Sequence, residues 1–165
     1  LARLFRRAGF DVTGARLDYG DQYILLEAAP LAGVPLAALA NEERPAAQYE
    51  RVKAFTARVR PQLAEWRERL TDLKRRGKTV VVWGGGSKSV GFLTNFADLA
   101  LIEFVVDINP HMENNYIPGI GCRYVRPNFL AGYRPDVVIV MNSLYKAEIA
   151  KTLGDMGLHP EIHAL

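Results

Sequence analysis

The run Thr79-Val80-Val81-Val82-Trp83, followed at once by Gly84-Gly85-Gly86, constrains this chain more than any other feature. An apolar run without alternation suits a strand buried on both faces, not one with a wet side. Behind the glycines, Ser87 to Phe96 carries a helical pattern. Two similar apolar runs follow, Leu101 to Val106 ending at Asp107, and Asp136 to Met141 leading into a helix-like stretch from Leu144 to Met156. A short last strand is predicted around Glu161 to His163. Buried strands alternating with helices predict an α/β fold, with a Rossmann-like parallel sheet and flanking helices, over residues 78–165. A ligand of such a sheet lies beyond the carboxyl ends of its strands.

The residues ahead of that sheet read differently. Leu1 to Ala8 has helical spacing with Gly9 as its stop, and the runs Val12 to Leu17 and Gln22 to Ala28 predict a hairpin around Asp18-Tyr19-Gly20-Asp21. A lone hairpin is marginal in water, so residues 1–30 either pack on the rest of the chain or finish a larger sheet. Residues 31–77 read as a connector followed by a long helix. In that helix Tyr49, Val52, Phe55, Val59, Leu63, Trp66, Leu70 and Leu73 trace one apolar stripe. Pro61 predicts a bend, or the meeting of two helices, near Arg58 to Pro61, and Arg75-Arg76-Gly77 is a good helix end. The stripe is expected to be buried, as a bridge over residues 1–30 and the last domain or in a dimer interface.

Composition narrows the function. A net charge of +3 is mild, and the basic residues of the long helix are interleaved with Glu65, Glu68 and Asp72. That pattern is a solvated helix face rather than a nucleic-acid footprint. One cysteine, Cys122, and three scattered histidines provide neither a disulfide framework nor metal-ligand spacing, so no metal site is expected and Cys122 reads as a small buried thiol. No apolar run approaches the roughly 20 residues of a membrane helix. With Leu1 at its start and no leader pattern, the chain is expected to be part of a longer, cytoplasmic protein.

Three polar stretches follow the strands. In the first, Gly84, Gly85 and Gly86 let backbone approach a ligand, and the amides that open the next helix, at Ser87 and Lys88, suit an anion. The string lacks the glycine directly before lysine of a nucleoside-triphosphate loop. Set against Gly-x-Gly-x-x-Gly it has Ser89 in the third place, where a side chain should hold the helix off the sheet unless the packing adapts. Asp107, 21 residues after Gly86, stands where a ribose carboxylate would. The same residues also suit a plain strand-to-helix turn. Lys88 opposes the helix dipole and is better explained by an anion, solvent exposure being the other reading.

The second stretch, Asp107 to Gly119, holds Asn109, His111 and Tyr116 and ends in Pro118-Gly119, a predicted type II turn with glycine at positive φ. It serves a ligand, a domain contact or its own capping. His111 has an unperturbed pKa near neutrality, yet no partner is identifiable from spacing. In the third stretch Asn142 or Ser143 caps the following helix, and Asn142 and Tyr145 are placed toward the same crevice as Gly85.

The strings TVVVWGGGSKSVGFLTNF, VVDINP, YIPGIG and RPDVVIVMNSLYKAEI together resemble the carboxyl-terminal domain of the S-adenosylmethionine-dependent C-methyltransferases of deoxysugar nucleotides and their relatives in polysaccharide pathways. The similarity spans roughly residues 50–163. The front piece, RRAGFDVTGARLDYGDQYILLEA, is similar to the last helix and hairpin of a class I methyltransferase domain. The family's glycine-and-lysine turn falls on Gly84 and Lys88, its Asp-x-Asn-Pro on Asp107, Asn109 and Pro110, and its Tyr-x-Pro-Gly on Tyr116, Pro118 and Gly119. Arg134-Pro135-Asp136, Asn142 and Glu148-Ile149 match further motifs. Met112 and Asn114 depart from the family's lysine and glycine, and Arg123 from a frequent proline.

The resemblance implies a division of labour. S-adenosylmethionine is held by an upstream domain, and this chain binds no cofactor itself. Its glycine turn, with Asp107, Asn109, His111, Tyr116, Asn142 and Tyr145, forms the side of the cleft that takes a sugar nucleotide or carbohydrate. The family removes a proton beside a carbonyl and passes the enolate to the methyl sulfonium, with the base supplied by preceding domains. No catalytic residue is assigned here, and the chain alone is expected to be inactive. Two other readings stand beside this one, a nicotinamide- or nucleotide-binding module of an oxidoreductase and a scaffold without catalytic function. Ser89 and the lack of a Tyr-x-x-x-Lys pattern weigh against the oxidoreductase, and the polar loop weighs against the scaffold.

Overall fold

In the computed structural model, which describes residues 1–165, these patterns resolve into seven strands and five α-helices. The chain divides into two units, Leu1–Arg58 and Val59–Leu165.

The first unit opens with helix α1 (Ala2–Arg7) and the antiparallel pair β1 (Phe10–Asp18) and β2 (Tyr23–Pro30). The following connector is tied to the hairpin by polar contacts. Asp11 accepts from the Leu36 amide at 3.0 Å, and the Asn41 side chain donates to the Ala15 carbonyl at 3.0 Å. Arg6 donates to Glu42 at 2.8 Å, which with the Leu39 amide holds the Glu42 carboxyl down at about 2. Apolar burial is sparse: Ala2 and Val12 are the buried residues of this unit, while Leu17, Tyr23 and Ile24 stand open on the hairpin.

Helix α2 (Pro45–Arg75) runs unbroken through Pro61. A proline in a helix interior strands the carbonyl four residues back, here that of Ala57, and both residues are exposed, so water can satisfy it. Within this chain the stripe is covered only over its second half. Leu63, Trp66, Leu70 and Leu73 pack on the sheet's core, but Tyr49, Val52 and Phe55 are 60–64% exposed. Periodicity says which residues share a helix face; it does not supply the surface that covers them.

In the second unit β3 (Val80–Trp83), β4 (Ile102–Val106), β5 (Arg123–Val125), β6 (Val137–Val140) and β7 (Glu161–Ala164) form a parallel sheet in the order β5-β4-β3-β6-β7. Every residue of β3 and β6 is buried, each side chain contributing about 1.5–3 kcal/mol by leaving water. Alternate residues feed two cores. Val80 and Val82 meet α2 and α3 (Ser87–Thr94), whereas Val81 and Trp83 share the opposite core with Leu130 of α4 (Leu130–Tyr133) and Ile149 of α5 (Lys146–Asp155). Trp66 meets Phe92 edge-on at 5.2 Å, and Arg67 ties α2 to Asp98 at 2.7 Å. No helix is long and apolar enough to cross a membrane.

The amino edge of the sheet is fastened by Asp136, just before β6. It accepts from Lys78 at 2.8 Å and from the Thr79 amide and hydroxyl at 2.9 Å each. Lys78 foremost, then Thr79, holds the carboxyl down at about 2, below its ordinary value of about 3.9. A depressed carboxyl stabilises the fold above its unfolded pKa and loses that contribution as pH falls through the folded value. Because the pair is half-exposed and screened, Asp136→Ala is expected to cost about 1 kcal/mol at neutral pH. Urea unfolding of both proteins should show that gap closing toward about pH 2, where the wild-type carboxyl protonates. A gap independent of pH would mean that the carboxylate charge is not what fastens this edge.

Candidate functional site

The strand order reverses between β3 and β6, the position at which sheets of this kind open a crevice. Register aligns the two walls. Trp83 pairs with Val106 and with Val140, so Gly84, Asp107 and Met141 leave the sheet side by side. The Gly84 amide donates to the Val106 carbonyl at 2.8 Å, and that of Met141 to the Trp83 carbonyl at 3.0 Å. Gly84 takes φ +111°, which L side chains rarely adopt, and any Cβ there would stand 3.3 Å from that of Met141.

Gly85 is held at both ends of its backbone. Its amide donates to Asp107 Oδ2 at 2.7 Å, and its carbonyl accepts from the Tyr124 hydroxyl at 2.9 Å. Tyr124 lies on β5, so its side chain reaches past β4 to the turn after β3. Burial, and then the nearby Asp107 carboxylate, pushes the Tyr124 phenol above its ordinary pKa, which keeps the hydroxyl a donor. Asp107 Oδ1 accepts from the Asn109 amide at 2.8 Å. Both oxygens of the residue that spacing nominated for a ribose are therefore turned to backbone amides. Asp107 thus has a structural role in holding the turn.

Ser89 resolves the question of the missing third glycine. It is fully buried, and its hydroxyl donates back to the Gly84 carbonyl, so the larger residue becomes a tie between helix and turn. Gly86, Ser87 and Lys88 are exposed. The amides at the start of α3 point out of the helix end without intrahelical acceptors, with the Lys88 ammonium beside them.

The structure brings together only part of the polar residues expected here. Asn142 follows β6 and caps the turn Ser143–Tyr145 by accepting from the Leu144 amide at 3.2 Å; Tyr145 is partly exposed beside it. Asn109 opens the turn Pro110–Met112 by accepting from the His111 amide at 3.0 Å, and the His111 side chain is exposed. Pro118-Gly119 forms the expected turn, with Gly119 at φ +76° and the Ile120 amide donating to the Ile117 carbonyl at 3.3 Å. Tyr116 lies apart, bridged to Arg123 at the start of β5 and 62% exposed. Tyr124 and Ser89 complete the turn without having been singled out as site residues. Their signal is weak in sequence, since the tyrosine sits in a three-residue strand 39 residues from its partner.

Cys122 is buried, donates to the Ile102 carbonyl at 3.0 Å and has its thiol pushed up by desolvation, which suits a packed thiol rather than a nucleophile. A hollow of about 330 Å³ lies at the amino ends of β4 and β5, lined among others by Leu70, Phe96, Ile102 and Cys122. No group of three or more His, Cys, Asp or Glu side chains is placed to hold a metal ion.

Comparison with known proteins bears on the chain as a whole. No curated protein matches it significantly. Among solved structures it is similar to RSP, a Rex-family repressor, at 16% identity and a TM-score of 0.41, over 62% of this chain and 60% of that one. The family model for the C-methyltransferase C-terminal domain matches residues 30–158. That span takes in the parallel sheet as far as α5, together with the glycine turn and the Asn-Pro loop, and places the chain in the C-methyltransferase C-terminal domain family.

Proposed function

We propose that this chain is the acceptor-side portion of a cytoplasmic S-adenosylmethionine-dependent C-methyltransferase that acts on a sugar nucleotide or related carbohydrate. Family membership over residues 30–158 carries the reading. In this account residues 1–30 finish a methyltransferase domain, residues 31–77 link it onward, and residues 78–165 line the substrate cleft. The amides of Gly86, Ser87 and Lys88 with the Lys88 ammonium take an anionic part of the acceptor, and Asn142 and Tyr145 form the opposite wall. Tyr116, beside β5, stands outside that cluster. The methyl donor and the base that forms the enolate belong to the upstream domain.

Calorimetry on the 165-residue chain tests this assignment. Neither S-adenosylmethionine nor NAD should bind with a dissociation constant tighter than about 100 μM, a boundary near 5.5 kcal/mol. Saturable micromolar NAD binding would overturn the reading in favour of an oxidoreductase module.

A further inference from the structure

The glycine turn could have been a loose connection whose amides sample many directions. It is instead gripped on both sides of one residue, Gly85, from two neighbouring strands. Asp107, at the end of β4, accepts the Gly85 amide at 2.7 Å, and Tyr124, from β5, donates to the Gly85 carbonyl at 2.9 Å. Ser89 ties the preceding carbonyl to α3. Gly85 is buried under this grip, whereas the next three residues are exposed. An ordinary strand-to-helix turn satisfies its carbonyls with water or with its own helix; here a buried tyrosine crosses a whole strand to reach one.

We propose that Tyr124, acting with Asp107, is a positioning residue that holds the peptide groups on both sides of Gly85 and thereby aims the amides of Gly86, Ser87 and Lys88 into the crevice. This rests on the reading above, in which those amides meet an anionic part of the acceptor. The physical reason is preorganisation. Amides already directed at the anion position need no reordering when it arrives, and the ordering cost falls on folding rather than on binding. Tyr124 touches no ligand in this scheme and acts through Gly85 alone.

The test uses the 165-residue chain with pyrophosphate as the probe, followed through the ¹⁵N–¹H shifts of Gly86, Ser87 and Lys88. Tyr124→Phe keeps the ring against Gly85 and removes the hydroxyl; it should weaken pyrophosphate about five- to tenfold and speed hydrogen exchange at Gly85. Tyr133→Phe alters a different, half-buried tyrosine that packs on Phe104 and Phe129 in the opposite core, and should leave pyrophosphate affinity unchanged. Should Tyr124→Phe fail to fold, Asp107→Asn replaces it, since it keeps one acceptor, loses the other, and should weaken binding in the same direction. Unchanged affinity in the folded Tyr124→Phe variant, or an equal loss in Tyr133→Phe, overturns the positioning role while leaving the anion site standing. A wild-type chain that does not bind pyrophosphate at those amides overturns the reading of the site and this inference with it.

Discussion

Gly85→Ala should be among the most damaging single-atom additions in the second unit, costing about 3 kcal/mol of stability. A Cβ at that position would stand 2.4 Å from Tyr124 Cε1 and 2.6 Å from Asp107 Oδ2, distances that real contacts do not reach. Neither neighbour can step aside cheaply. The Tyr124 ring is 3% exposed and anchored through its hydroxyl, and the Asp107 carboxylate is held by two amides. Relief therefore requires moving β5, or lifting the turn and with it the start of α3. The adjacent Gly86 makes the control, because nothing lies within 4 Å of the Cβ it would gain and its φ of −79° suits any residue. Gly86→Ala should alter stability by less than about 1 kcal/mol, lost cap preference and reduced chain entropy opposing each other. Denaturant melts of the two variants decide the matter, and a Gly85→Ala protein as stable as the wild type would show that the packing around the turn is looser than described.

Lys88→Ala should act on binding in the way Gly85→Ala acts on folding. The side chain is exposed in the first turn of α3, where a cation opposes the helix dipole and gains nothing from it. A charged, hydrogen-bonded contact with an anionic acceptor contributes roughly 1.5–3 kcal/mol. If the chain serves the proposed methyltransferase, the substitution should raise the acceptor's KM or dissociation constant in the full-length protein about 10- to 100-fold, each 1.4 kcal/mol being a factor of ten. Folding stability should shift by less than about 0.5 kcal/mol, as for an exposed side chain without partners. S-adenosylmethionine affinity should not move, because the proposed function places the donor on a domain other than this one. Paired titrations with acceptor and donor, alongside a denaturant melt, separate the outcomes. Equal acceptor affinity, or a loss of several kcal/mol in stability, would return Lys88 to an ordinary surface residue.

Much of the sheet is legible in the chain because its strands are buried on both faces. Thr79 to Trp83 and Asp136 to Met141 stand out as unbroken apolar runs, and they become the central pair β3 and β6. The reversal of order beside them is seen only in the structure, because alternation with helices fits a sheet wound in one direction as well. Contacts across the sheet are harder to read. Spacing nominates Asp107 for a ribose, and the structure turns its oxygens to Gly85 and Asn109, since a carboxylate beside free amides is satisfied by the nearest ones. Tyr124 leaves no mark at all, because its use depends on β5 lying two strands from β3. The stripe of α2 shows the converse. Its periodicity is plain, yet Tyr49, Val52 and Phe55 remain uncovered while Leu70 and Leu73 are buried.

The fastening by Asp136 and the turn at Gly84–Lys88 occupy opposite ends of the same strands, the first where β3 and β6 begin and the second where they finish. At the turn, sequence change is therefore cheap at the exposed positions and expensive at the buried ones. Exposed positions such as Ser87, Lys88, Leu144 and Tyr145 can be exchanged without disturbing the clasp between Lys78, Thr79 and Asp136. A library confined to those exposed positions would vary the proposed ligand-facing surface on a scaffold whose melting behaviour stays nearly constant, whereas Gly85, Ser89, Asp107 and Tyr124 would have to be left alone.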